Sequence, residues 1–237
     1  RDSHLLNSPY IIAAQADAGE GSEGSVHVAA SVSLDVLREE CAGRIATEQR
    51  IEWDDREGRI KAAVEERLGA LLLSTRRIAP TDAEVLPIVL GRIRNSPGLL
   101  NFSKDARQYQ QRVTMIRRAY PEETWPDLSD NFLVDNPESW LSPWLGGVRS
   151  ARELSGLDLL PALKARLTWE QQRRLDERAP AAITVPSGSR IKLDYASGEV
   201  PVLAVKLQEL FGLADTPAVA GGRIPVLLHL LSPAGRP

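Results

Sequence analysis

Few residues of this chain have the types that do covalent chemistry, and their spacing argues against each in turn. The histidines His4, His27 and His229 and the single cysteine Cys41 lie too far apart for zinc-ligand spacing, and one cysteine closes no internal disulfide. No Gly-x-Ser-x-Gly turn presents a nucleophile, and Pro186-Ser187-Gly188-Ser189 reads as a turn made of ordinary turn residues. No glycine is followed by lysine, so the loop ending Gly-Lys-Ser/Thr that cradles nucleotide phosphates is missing. His229 falls in an apolar run and reads as a core histidine, and Cys41 as a small buried hydrophobe. The sequence therefore predicts no catalytic, cofactor-binding or metal-binding residue.

Binding of an anionic chain is the chemistry that the cations could do. Arg190 and Lys192 share one face of a predicted strand, and Arg223 follows Gly221-Gly222, where a backbone free of side chains could approach a phosphate. The bland reading of the same three is structural ion pairing with Asp194 and Glu209. A second set, Arg56, Arg59 and Lys61 with Arg50, surrounds Trp53, a possible stacking platform. There the acids Glu52, Asp54, Asp55 and Glu57 interleave with the cations, which is equally the pattern of a solvated mixed-charge hairpin with Trp53 in the core.

The elements that position these residues follow from hydrophobic period. Ile191, Leu193 and Tyr195 alternate with Arg190, Lys192 and Asp194 after a turn, which predicts a hairpin. Pro201, Leu203, Leu207, Leu210, Phe211 and Gly212 sit at helical spacing with start and stop signals, which predicts a helix. Ile224 to Leu231 is apolar on both alternating sets and predicts a strand covered on both sides. From Tyr10 to Ile78 short strand patterns dominate, with the Gly/Ser-rich stretch Gly19–Gly24 as a turn and Ser33 capping a short helix. Two strands, a helix and two or three more strands is the order of most of an OB barrel, with its first strand upstream of Tyr10.

The middle of the chain reads as helices. Thr81 and Glu84 have capping-box spacing, with Pro87 implying a kink or a later start. Ser103 caps a helix with Ala106, Tyr109, Val113, Ile116 and Tyr120 on its apolar stripe. Trp125, Phe132, Leu133, Trp140 and Trp144 read as core of short helices and turns, and Thr168 with Gln171 opens a further helix. The arginines Arg112, Arg117, Arg118, Arg173, Arg174 and Arg178 read as solvated faces.

The strings Val185-Pro186-Ser187-Gly188-Ser189-Arg190-Ile191, Val205-Lys206-Leu207-Gln208-Glu209-Leu210-Phe211-Gly212-Leu213, Ala220-Gly221-Gly222-Arg223-Ile224-Pro225-Val226 and Leu228-His229-Leu230-Leu231-Ser232-Pro233 carry a resemblance. They resemble the C-terminus of the HrpB family of bacterial DEAH-box ATP-dependent RNA helicases. A looser match runs back through Trp125-Pro126-Asp127-Leu128-Ser129, Trp140-Leu141, Gly147-Val148-Arg149-Ser150 and Arg173-Arg174-Leu175-Asp176, to about Ser103. The resemblance implies an OB-like domain that lines the path of a nucleic-acid strand. It implies motor domains that bind ATP and Mg in residues outside this sequence, and single-stranded RNA, or DNA, as partner.

At 237 residues, with 29 Lys and Arg against 32 Asp and Glu, the chain has a net charge of -3, unlike a dedicated nucleic-acid-binding domain. Its apolar runs fall short of the ~20 residues of a membrane helix. A cytoplasmic setting with no membrane partner is expected. Opening on Arg1, the sequence is expected to be a piece of a longer polypeptide. The expected architecture is α+β and multidomain: an OB-like β-barrel over 1–78, a helical connector over 79–180 and a small hairpin-helix-strand module over 181–237. The expected function is a non-catalytic accessory region that grips RNA and modulates the motor, or alternatively a scaffold that packs on the motor or a partner and never touches RNA.

Overall fold

The computed structural model describes residues 4–17 and 25–232, so Arg1–Ser3, the expected turn at Gly19–Gly24 and the end from Pro233 lie outside it. The chain divides into two compact units, one of residues 1–52 and 60–81, the other of residues 53–59 and 82–237.

In the first unit β1 (Ile11–Asp17) and β2 (Ser25–Ser31) pair antiparallel, with Ile11 opposite Ser31 and Asp17 opposite Ser25. Ser33 then caps α1 (Leu34–Glu40), its hydroxyl accepting from the Val36 N–H at 3.3 Å, and Leu37 is the buried residue of that helix. Next come β3 (Ile45–Asp54), β4 (Arg59–Leu68) and β5 (Leu71–Arg77), hydrogen-bonded in that order. The apolar run Leu68 to Leu73 is cut by a tight turn in which Gly69 takes φ 61°, a conformation cheap only for glycine. The Tyr10 hydroxyl donates to the Leu73 carbonyl at 2.7 Å.

The expected strand-strand-helix-strand-strand-strand order is present, but closure is not. Among the described residues β1–β2 and β3–β5 are separate sheets with no ladder joining them, and His4–Asn7 is a 3-10 turn. A barrel needs its edge strands paired. These sheets remain open.

The second unit is built around helices. In α2 (Asp82–Asn95) the backbone stays helical through Pro87, where a kink or a later start was expected. Val85, Val89, Leu90 and Ile93 are buried along one face, and that packing outweighs the one bond that proline cannot donate. Ser103 caps α3 (Lys104–Ala119) through the Ala106 N–H, and Ala106, Tyr109, Val113 and Ile116 are buried as their period predicts. After α4 (Asp130–Asp135), α5 (Ala151–Ser155) and α6 (Leu159–Lys164), Thr168 and Gln171 form both bonds of a capping box at the start of α7 (Trp169–Arg178). Trp125, Leu133 and Trp140 are buried core, with the Trp140 indole donating to the Leu133 carbonyl at 2.9 Å, while Phe132 and Trp144 are half-buried.

The remaining strands lie against these helices. They are β6 (Ala182–Thr184), β7 (Arg190–Asp194), β8 (Val202–Lys206), β9 (Ala218–Val219), β10 (Ile224–Pro225) and β11 (Leu227–Leu231). The hairpin β6–β7 is as expected, with Thr184 opposite Arg190. The helix expected from Pro201 is instead the strand β8, followed by a 3-10 turn at Leu207–Leu210. Val202, Leu203 and Val205 are buried, and β8 runs parallel to β11 with Leu227 opposite Val202, so a partner far along the chain captures its backbone. Leu207 and Phe211, placed on the buried stripe of that helix by their spacing, are exposed.

The four-stranded order is β11-β8-β7-β6, so β11 is an edge strand. It was expected to be covered on both faces. Instead Leu227, His229 and Leu230 are exposed, and His229 is not a core histidine. Cys41 is half-buried. Among the described residues no helix is long and apolar enough to cross a membrane.

Candidate nucleic-acid interface

The hairpin cations stand among acids. The Asp54 carboxylate accepts from the backbone N–H groups of Arg56 and Glu57 at 2.8 Å each, which shapes the turn at the tip of β3–β4. Arg56 is exposed in that turn, and Arg59 donates to Glu57 at 2.7 Å. Arg50 pairs with Glu52 at 2.9 Å, and Lys61 is exposed on β4. Trp53 is half-buried, with the Arg92 guanidinium carbon 5.7 Å from its ring centre, and Arg92 is itself paired with Asp55 at 2.8 Å. A base would have to displace that guanidinium to reach the covered part of the ring.

The C-terminal cations separate into two places. Arg190 and Lys192 lie exposed on one face of β7 while Leu193 between them and Asp194 turns inward, and neither cation forms an ion pair among the described residues. The anticipated partner Asp194 is engaged elsewhere: it accepts from the Ser197 hydroxyl, from the Ala196 N–H at 2.9 Å and from Gln108 at 2.5 Å. Those bonds, the serine's first, hold its carboxyl below the usual range. Arg223 sits at the far end of α3, donating to the Ala119 carbonyl at 2.5 Å and to Glu122 at 3.4 Å, with its guanidinium carbon 4.1 Å from the Tyr120 ring centre. Lys192 borders residues 105–112 of the same helix, about 16 Å away along its axis at 1.5 Å per residue.

Gly221 has a packing role. Its φ is 64°, and a Cβ there would come within 3.1 Å of the Tyr120 hydroxyl, which donates to the Ala220 carbonyl at 2.8 Å. The bare backbone at this point is occupied by the protein itself. Arg178 packs over the same Tyr120 ring at 4.0 Å and binds Glu123, and that pairing lowers the Glu123 pKa.

Two neighbouring features escaped the sequence reading. A pocket of about 210 Å³ opens between α3, α6 and β7, lined by Tyr109, Arg112, Lys164, Lys192 and Tyr195 among others. Arg112, expected to be a solvated cation, is buried and donates to the Ala179 carbonyl at 2.7 Å and to Asp176 at 2.6 Å. Tyr109 is 6% exposed and its hydroxyl finds no partner, and burial pushes that phenol up to about 12. On α7, Trp169 is 76% exposed, with Arg173 one turn on and 5.6 Å from its ring centre. The i, i+4 spacing of that Trp and Arg was visible in the sequence, but nothing local said that the indole would face water.

For a metal or nucleotide the fit is poor. Among the described residues no group of three or more His, Cys, Asp or Glu could hold an ion, and the chain lacks a Gly-Lys phosphate loop. The residues present do not fit an ATP-magnesium site.

Comparison with known proteins finds similarity along most of the chain. Residues 140–237 match a family described as ATP-dependent helicase C-terminal, and residues 44–78, which cover β3–β5, match the connector region of ATP-dependent RNA helicase HrpB. Over 217 residues the chain is 38% identical to ATP-dependent RNA helicase HrpB of Escherichia coli K12, covering 91% of this chain and 27% of that relative. A crystal structure of E. coli DExH-box NTPase HrpB superposes with a TM-score of 0.65 at 35% identity, covering 100% of this chain and 30% of that one. A second, of E. coli DEAH/RHA helicase HrpB, gives 0.63 at 38% identity over 82% and 25% of the two chains. The chain thus spans between a quarter and a third of these relatives, and it belongs to the HrpB helicase family through that family's connector and C-terminal regions.

Proposed function

We propose that this chain is a non-catalytic accessory region of an ATP-dependent RNA helicase, holding single-stranded RNA while motor domains outside this sequence bind ATP and Mg and do the work. The observation that carries the reading is the 38% identity, along nearly the whole chain, to a protein named as an ATP-dependent RNA helicase. The strand-strand-helix-strand-strand-strand order supports an OB-like origin for the first unit. The unpaired, exposed Arg190 and Lys192 on β7 support phosphate contact in the second. In this reading the grip is passive: cations hold the backbone between power strokes, and the region modulates the motor by resisting slippage of the strand.

Fluorescence anisotropy with labelled single-stranded RNA at two salt concentrations tests it. Phosphate contact predicts affinity that falls with salt, with a slope of about -0.7 per neutralised phosphate on a single strand. Arg190→Ala with Lys192→Ala should weaken binding and flatten that slope. Arg223→Ala should instead lower stability, because Arg223 is spent on Ala119 and Tyr120.

A scaffolding reading has its own support in the edge strand β11, where Leu227 and Leu230 are exposed and Leu231 pairs with Lys206, the residue before the exposed Leu207, with Phe211 69% open to solvent. An unpaired edge beside exposed apolar side chains is the form of a protein-docking surface. Tight binding of the isolated motor domains by a chain that binds no RNA would favour it.

A further inference from the structure

The exposed indole of Trp169 is unusual because its surroundings are polar. The shallow concavity beside it is lined by Gln172, Arg173, Asp176 and Glu177, with no aliphatic side chain among them. A tryptophan that docks against protein is ordinarily ringed by apolar neighbours, whereas a flat ring with a guanidinium at its edge suits a nucleobase, which has a π face and polar edges. The acids there do not repel a phosphodiester outright. Asp176 is bonded to Arg112 at 2.6 Å, and Glu177 lies 3.7 Å from Arg173.

This surface adjoins the pocket between α3, α6 and β7. Gln172, beside the indole, donates to the Lys164 carbonyl at 3.1 Å, and Lys164 lines the pocket. Asp176, on the indole side, binds Arg112, which lines the pocket from the other side. Lys164 and Lys192 are both exposed, and neither forms an ion pair among the described residues. Asp105 also lines the pocket, so the two ammonium groups exceed its acid by one charge once Arg112 is counted with Asp176. The buried, unpartnered Tyr109 hydroxyl adds a polar group that asks for a partner from outside.

We infer that Trp169 stacks a base of single-stranded RNA while Lys164 and Lys192 hold the adjoining phosphates. This deepens the RNA-binding reading given above and rests on it. A base-stacking step beside a phosphate step gives sequence-tolerant grip, and grip at this site outlasts salt better than cations alone would provide.

The test is anisotropy with a fluorescein-labelled oligouridylate, together with intrinsic tryptophan fluorescence, on the whole chain. Trp169→Ala should weaken binding by about ten-fold or more, and Trp169→Phe should keep affinity within about three-fold while removing the RNA-induced quench of the tryptophan signal. Lys164→Ala with Lys192→Ala should flatten the plot of log K against log salt by about 1.4, which is two single-strand phosphates. Wild-type binding that Trp169→Ala leaves intact, or a quench that survives in Trp169→Phe, overturns the stacking site while the RNA reading stands. A wild-type chain that binds no RNA at low salt overturns both. Unchanged RNA affinity with lost docking of the isolated motor domains would give the indole to a protein partner and overturn the inference.

Discussion

The two compact units hold themselves together by different means. Among the described residues of the first, Leu37 and Leu73 are the buried apolar side chains, and Ile11, Ile12, Val26, Val28, Leu71 and Leu72 face solvent from its strands. In the second, Ile93, Val113, Ile116, Leu154 and Leu163 are fully buried around α3 and its neighbours. Ladders hold the first and a packed core holds the second. A backbone hydrogen bond nets only about 1 kcal/mol and a lone two-stranded ribbon is marginal in water, whereas each buried aliphatic side chain contributes about 1.5–3 kcal/mol. Cooperative stability therefore belongs to the second unit, and the first is expected to exchange its amide protons sooner.

The contrast can be broken most directly at Trp140, 2% exposed. Trp140→Ala should cost about 3–5 kcal/mol in urea unfolding, through the cavity and the lost bond to Leu133. Equal sensitivity of the first unit's amides in hydrogen exchange would show that the two do not unfold separately. Arg112→Leu should cost about 1–3 kcal/mol, because it leaves the buried Ala179 carbonyl without its donor. Thr168→Ala should cost about 1 kcal/mol by removing half of the α7 capping box, read as faster exchange confined to the first turn of that helix.

Acid gives a gentler contrast. Glu123 is held below its usual value chiefly by the bond from Arg178, Glu153 by the Arg149 backbone N–H, and Asp194 by the Ser197 hydroxyl. In the first unit Glu66 is held down by Arg38. A carboxyl with a lower pKa folded than unfolded contributes its full stability above the ordinary value and loses it as pH falls through the folded one. The second unit should therefore lose stability as pH drops below about 4.5, with Arg178→Ala showing a shallower loss in pH-dependent thermal melts. The smallest effect belongs to the exposed ribbon, where Val28→Thr should change stability by less than about 0.5 kcal/mol. A large change there would mean that the ribbon's apolar face is covered in solution.

The sequence anticipated some of this and missed the rest for a consistent reason. Ser33, Ser103 and the pair Thr168 and Gln171 were legible as caps because their bonds close within three residues. The stripe of α3 was legible because 3.6-residue periodicity is local. Val202–Lys206 was not, since its helical spacing was overridden by parallel pairing with Leu227–Leu231, which no window around it contains. The same holds in the candidate site. Alternation placed Arg190 and Lys192 on one exposed face, but the separation of Arg223 from them depends on Tyr120, about a hundred residues earlier in the chain.

What the amino-acid sequence determined alone, then, is everything set by neighbours: the caps, the β6–β7 hairpin, the strand order of the first unit, the missing phosphate loop and the strings that carry the family likeness. Tertiary structure decided which sheets stay open, which leucines face water, that Arg112 is buried and Trp169 is not, and that Lys164 and Lys192 share a pocket. Those outcomes turn on contacts between residues tens of positions apart. Their free energy depends on what is brought together in space, and period and composition carry no record of it.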